Sequence, residues 1–202
     1  MIITISREYG SGGRRIGQQL ANLLNIAYYD REIVAKAAET SGYPKEIHDC
    51  LDERPANRLL YAISMFNTRN LSGQTLDEQL FAAESKVIRE IAEKESAVIV
   101  GRCADYVLQG LPDKFDFFIY GSMEYRLAQV EQSEYYTFGG NSAETFLNKI
   151  DRQRAAYYNF FTGRTWGKGS QYDLCISSER LGIEGTAQYL SEYVKAVQGR
   201  RD

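Results

Sequence analysis

Residues 2–6 read Ile-Ile-Thr-Ile-Ser, β-branched and apolar, with polar residues and glycines after them. That pattern predicts a strand buried on both faces of a parallel sheet. The cluster Gly10-Ser11-Gly12-Gly13 follows, and then Ile16, Leu20, Leu23 and Leu24 recur at helical spacing. The chain therefore opens as strand, glycine loop and helix. Three later stretches, Ala97–Gly101, Phe115–Tyr120 and Tyr172–Ser177, have strand composition, and each runs into a helical pattern. Strands alternating with helices predict right-handed βαβ crossovers. The expected fold is α/β: a mostly parallel five-stranded sheet, helices on both faces, and the first strand in its interior.

The helices have their own signals. Thr75 and Glu78 form a capping-box pair ahead of Leu76, Leu80, Ala83, Val87 and Ile91 on one face. Asn141 and Glu144 open another helix, with Phe146, Leu147 and Ile150 on its apolar side. Ile183, Ala187, Leu190, Val194 and Val197 make a closing amphipathic helix. Residues 41–72 hold two of the three prolines, the single histidine and no strand pattern. They predict a helical insertion over the sheet, while Tyr135–Asn141 and Gly163–Ser170 read as glycine-containing loops.

Length and composition narrow the classes. The chain has 202 residues, the size of one domain, and its 44% hydrophobic and 25% charged residues suit an ordinary globular core. A formal charge of -3 disfavours an electrostatic nucleic-acid binder. Cys50, Cys103 and Cys175 show no C-x-x-C spacing, which points to reduced thiols in a cytosol. His48 is the only histidine, so a multi-histidine metal site or a histidine relay is excluded within one chain. No apolar run nears the roughly 18 residues of a membrane span, and the opening residues lack the basic leader of a signal peptide. The expectation is a cytoplasmic chain with neither nucleic acid nor membrane as partner.

Three segments carry candidate chemistry. Arg7–Gly17 places a glycine-rich turn between a buried strand and a helix, where backbone N–H groups can close on an anion. Arg14 and Arg15, in the first helical turn, are unfavourable beside the positive end of the helix dipole. A bound polyphosphate reverses that penalty; the alternative is a tight turn with surface arginines. Neither standard fingerprint fits, because Arg15 stands where a dinucleotide site needs glycine and the loop has no lysine. In the second segment, Val98-Ile99-Val100-Gly101-Arg102 with Asp105 after it, Arg102 falls at the carboxyl end of a strand. It either faces the ligand crevice or is a solvated arginine. The third is Asp151-Arg152-Gln153-Arg154, where the two arginines point to different helix sides. One could close on a ligand, or both belong to a wet face.

In this order, the segments resemble the cytidylate kinase-like branch of the P-loop nucleoside monophosphate kinases. Ile5-Ser6-Arg7-Glu8-Tyr9-Gly10-Ser11-Gly12-Gly13-Arg14 is similar to the opening of that branch. Tyr28-Tyr29-Asp30-Arg31-Glu32 resembles its second-strand motif, and Val100-Gly101-Arg102 its Gly-Arg acceptor motif. Asp151-Arg152-Gln153-Arg154-Ala155 is similar to the lid arginine segment, and Tyr172–Ser178 running into Leu181–Glu184 to the last strand and helix. Only residues near 41–72 lack a matching motif.

The resemblance implies a single P-loop-type three-layer α/β/α domain. Residues 1–40 and 73–202 would form the core, with a lid helix near 143–165 and the insertion at 41–72 on the acceptor side. It implies phosphoryl transfer from ATP, with Mg²⁺, to a nucleoside monophosphate or related small acceptor, a reaction run by positioning and charge neutralisation. Gly10, Ser11, Gly12, Gly13, Arg14 and Arg15 would hold the donor phosphates. Asp30, Arg31, Arg102 and Asp105 would stand on the acceptor side, and Arg152 and Arg154, with Arg14, would serve catalysis. The sequence departs from the family pattern in places. Gly13 occupies the loop lysine's position, and Val100 and Cys103 replace acidic residues around Gly-Arg. The missing lysine favours an alternative, a non-catalytic nucleotide-binding or sensing protein with a degenerate loop. The lid arginines favour the enzyme. A third alternative, an interaction scaffold, predicts no nucleotide binding.

Overall fold

The computed structural model describes residues 1–30, 33, 76–131 and 142–200. The expected insertion at 41–72, the loop at 135–141, the cap residue Thr75 and Arg31 lie outside the described residues. Strand β1 (Ile2–Arg7) leads through the glycine loop into α1 (Gly13–Leu24) and on to β2 (Ala27–Tyr29). Next come α2 (Leu76–Lys94), β3 (Ala97–Val100), the single-turn α3 (Ala104–Val107), β4 (Lys114–Tyr120) and α4 (Met123–Glu131). The chain closes with α5 (Ala143–Thr162), β5 (Leu174–Ser177) and α6 (Ser178–Gln198).

The described strands pair in the order β2-β3-β1-β4-β5, and every pair is parallel. The first strand is thus interior, as its unbroken apolar run predicts, with Ile3 beside Val98 and Ile5 beside Phe117. Alternation along β1 divides the core. Ile3 and Ile5 face α1 and α6, where Ile16, Leu20, Ala187, Leu190 and Val194 are buried. Ile2 faces the other way, with Ala97 and Ile99, onto Val87, Ile88 and Ile91 of α2. A third cluster of Tyr9, Val130, Phe146 and Leu147 joins the glycine loop to α4 and α5. Each fully buried aliphatic side chain contributes about 1.5–3 kcal/mol relative to exposure, so both sheet faces hold the layers together.

Some boundaries differ from the sequence reading. Helix α5 is capped by Ser142, whose Oγ accepts from the Thr145 N–H at 3.2 Å, one residue beyond the Asn141 cap that the Asn-x-x-Glu spacing suggests. Ser142 wins because its hydroxyl reaches the third amide of the first turn. Strand β5 begins at Leu174, since the Asp173 N–H already turns to the Asp116 carbonyl at 2.8 Å before the ladder starts. The closing helix is interrupted at Gly182, which has a φ of 65°. No helix among the described residues is long and apolar enough to cross a membrane.

Candidate functional site

Because the strands are parallel, their carboxyl ends share one edge, and the segments with candidate chemistry gather there. Arg7 ends β1, Tyr29 ends β2 just before Asp30, and Val100 ends β3 just before Gly101 and Arg102. The glycine loop bends back over this edge. Gly10 has a φ of 79°, and a Cβ there would lie 2.8 Å from the Arg126 carbonyl oxygen. Gly12 caps α1 with a φ of 78°, no side chain caps that helix, and its first turn contains no acid. Its amides and dipole are therefore open to an anion. A cavity of about 120 Å³ opens at this point, walled by Gly10, Gly12, Gly13, Arg14, Arg15 and Arg154 among others.

The loop is fixed by residues far from it in sequence. Ser11 is fully buried; its hydroxyl donates to the Glu8 carbonyl at 2.8 Å, and Ser178 donates to the Ser11 carbonyl at 2.6 Å. The Tyr9 N–H donates to Asp151 at 2.7 Å, and Arg126 donates to the Tyr9 carbonyl at 3.2 Å. Arg126 also pairs with Asp151 and lies 3.5 Å from Glu8. Burial pushes the Glu8 carboxyl above its ordinary range, against the Gly121 N–H and Arg126, which favour its charged form.

Arginines dominate the edge. Arg14 Nε sits 2.5 Å from Asp30 Oδ2, and Arg7 Nη2 lies 4.0 Å from Asp30 Oδ1. Tyr28 donates to the Arg14 carbonyl at 3.3 Å, and burial raises its hydroxyl to about 12. Arg154 donates to the Arg7 carbonyl at 3.1 Å, and its guanidinium stands 5.1 Å from the centre of the Tyr9 ring. Gly101 leaves room for Arg7, since a Cβ there would meet Arg7 Nη1 at 2.5 Å.

Arg102 and Cys103 both have positive φ, 58° and 54°, which is strained for side chains of their size. The turn presents Arg102 to Glu84, a fully buried carboxylate on α2, at 3.1 Å. Tyr157 of α5 donates to the other oxygen of Glu84, also at 3.1 Å. Phe81, Phe161 and Tyr157 pack beside this pair, with the Phe81 and Phe161 rings stacked at 4.4 Å.

Several residues singled out in the sequence thus meet in one place. Gly10, Gly12, Gly13, Arg14, Arg15 and Arg154 line one cavity, and Arg7 links it to Asp30 and Gly101. Ser11 supports the loop from beneath. Arg152 is exposed and is not on the described cavity wall. Asp105 is buried, and Tyr158 donates to its carboxylate at 2.6 Å. The sequence reading gave no role to Arg126, Glu84 or Ser178. Ser178 follows a strand end and carried a signal of sorts; the other two are ordinary-looking charges on amphipathic helices.

Comparison with known proteins agrees with this fold. The model of the cytidylate kinase-like family matches residues 2–180. The chain is similar to a solved structure of an uncharacterized protein from Eubacterium ventriosum ATCC 27560, with 27% identity and a TM-score of 0.68 over 96% of this chain and 98% of that one. It shares its fold with shikimate kinase from Bacteroides thetaiotaomicron, at 15% identity and a TM-score of 0.54 over 96% and 98% of the two chains. Shikimate kinase from Aquifex aeolicus gives 16% identity and a TM-score of 0.52 over 97% and 98%. No curated protein matches the sequence.

Proposed function

The chain belongs to the cytidylate kinase-like family, and from that membership we propose that it transfers the terminal phosphoryl group of ATP to a nucleoside monophosphate or a related small acceptor. The observation that carries this reading is the uncapped start of α1 beneath a glycine loop, walled by Arg14, Arg15 and Arg154. Backbone amides and a helix N-terminus suit the phosphates of a nucleotide, and arginine forks suit their oxygens. The parallel sheet supports the placement of a ligand at this edge, and the chain shares its fold with shikimate kinase.

On this reading Gly10–Gly13 cradle the donor phosphates. Arg14 exchanges its Asp30 partner for a phosphate oxygen, and Arg15 adds charge at the same helix start. Arg102, held by Glu84, meets the acceptor together with Asp30 at the neighbouring strand end, and Arg31, the next residue in the sequence, serves the same acceptor. Asp105 shapes that side from below through Tyr158. Arg154 follows the moving phosphoryl group, joined by Arg152 from the outer side of α5. Helix α5 then serves as the lid and residues 41–72 as the acceptor-side insertion of a single domain. A cytoplasmic setting accords with Cys103 and Cys175, both free thiols.

Mg²⁺, which the family implies, finds a poor set of ligands among the described residues. Glu8, the carboxylate on the cavity wall, is engaged by Arg126 and the Gly121 N–H, and Asp30 lies between two arginines. The loop amides and arginines suit phosphates, and carboxylates engaged in this way do not suit a metal held by side chains. The charge is met by arginines.

A second reading, a nucleotide sensor without turnover, is favoured by the absence of a loop lysine. Thermal shift with nucleoside mono- and triphosphates tests the shared premise, since ligands of the folded state raise stability by mass action. ATP should raise Tm, and a monophosphate should raise it further in the presence of a non-hydrolysable ATP analogue. No shift with any nucleotide contradicts both readings.

A further inference from the structure

The Tyr9 peptide, immediately before the first positive-φ glycine, is held at both ends by charged side chains from other elements. Asp151 of α5 accepts from its N–H at 2.7 Å, and Arg126 of α4 donates to its carbonyl at 3.2 Å. The same guanidinium is paired with the other oxygen of Asp151 and lies 3.5 Å from Glu8. Glu8 in turn accepts from the Gly121 N–H at 3.2 Å, at the end of β4. Only 6% of Arg126 is exposed, so it is a buried charge whose partners fix its geometry. The loop also rests on the Arg126 backbone, which leaves no space for a side chain at Gly10.

We propose that Arg126 is a positioning residue for the glycine loop, tying it to α5 through Asp151 and neutralising Glu8 on the cavity wall. Two consequences follow from the connectivity. Asp151 and Arg154 lie three residues apart and so share a face of α5, where one grips the Tyr9 amide and the other the Arg7 carbonyl. The loop amides are thereby held in one register with α5 before a ligand arrives, which lowers the ordering cost of binding. Pairing with Arg126 also screens the Glu8 carboxylate, which would otherwise repel an incoming phosphate. This inference rests on the donor-site reading above, but it makes a separate claim about the free protein.

The test uses the full chain with inorganic tripolyphosphate as a base-free probe, titrated calorimetrically below Tm. Amide hydrogen exchange is followed at Gly10–Gly13 in the free protein. Arg126→Lys keeps the charge and removes the fork. Asp151→Asn keeps an oxygen for the Tyr9 N–H and removes the charge opposite Arg126. Both variants should bind about ten- to a hundredfold more weakly, the change that one charge-assisted hydrogen bond carries. Both should also exchange faster at Gly10–Gly13 while β3 and α6 keep their rates. Unaltered loop protection overturns the inference, and so does unaltered affinity when the parent chain binds. Acceleration spread equally over β3 and α6 overturns it too, by marking a general loss of stability. Failure of the parent chain to bind tripolyphosphate contradicts the donor-site reading, and the exchange rates still decide this one.

Discussion

Arg14 Nε lies 2.5 Å from Asp30 Oδ2, joining the first turn of α1 to the end of β2. An arginine in that turn opposes the helix dipole, so its carboxylate partner offsets an unfavourable charge in the free protein. A bound phosphate would compete for the same guanidinium. Asp30→Asn should therefore tighten ATP binding by up to about fivefold, the range set by one partly exposed ion pair. Arg14→Ala and Arg15→Ala should weaken it. Calorimetric Kd values for the three variants check this, and weaker binding by Asp30→Asn would contradict the exchange.

Arg154 stands on the cavity wall, whereas Arg152 is exposed. Charge that develops on a moving phosphoryl group is stabilised more than charge already present in the ground state. Arg154→Ala should lower kcat by about 10³-fold or more while leaving ATP affinity nearly unchanged. Arg152→Ala should cost less. Steady-state kinetics with equilibrium ATP binding separates the two quantities, and a shared loss of affinity would assign Arg154 to ground-state binding instead.

Glu84 is fully buried and holds Arg102 at 3.1 Å. Glu84→Ala should destabilise the fold by about 1–3 kcal/mol, because it removes the buried carboxylate to which both Arg102 and Tyr157 donate. Glu84→Gln, which keeps hydrogen-bonding atoms, should cost less. Urea denaturation measures both, and equal costs would mean that the charge pair is not the source.

Asp105 is raised above its ordinary carboxyl range by burial, against Tyr158 and Lys114, which favour the charged form. An acid with a raised folded-state pKa takes up its proton more readily folded than unfolded. Its contribution to stability is fully present below the unfolded value of 3.8 and is lost as pH rises through the folded one. Asp105→Asn removes this dependence. The parent chain should therefore gain stability relative to the variant as pH falls from 7 toward 4, measured by denaturant midpoints. A gain in the opposite direction would show that Tyr158 and Lys114 outweigh burial.

The sheet was legible because its strands are continuous β-branched and aromatic runs, as at Ile2–Ser6 and Ala97–Val100. The pattern alone missed β2, since Ala27–Tyr29 is too short for a periodic signal; only the Tyr-Tyr-Asp motif marked it. The cavity wall was legible through Gly10–Gly13, Arg14, Arg15 and Arg154, where glycines and arginines sit in unusual local positions. Arg126 and Glu84 were not. Each lies on an amphipathic helix, and its role comes from partners 18 or more residues away in sequence, such as Tyr9 at 117 and Arg102 at 18. Asp105 showed the converse, since its place after Gly-Arg suggested a ligand while its carboxylate meets Tyr158.

Transfer of a phosphoryl group at the glycine loop can be followed by phosphorus NMR of the protein with ATP, Mg²⁺ and each nucleoside monophosphate in turn. With at least one acceptor, ADP and the corresponding nucleoside diphosphate should grow in equal amounts, and Arg154→Ala should abolish most of that growth. ATP that binds but stays intact with every acceptor would contradict the kinase reading and leave the nucleotide sensor in its place.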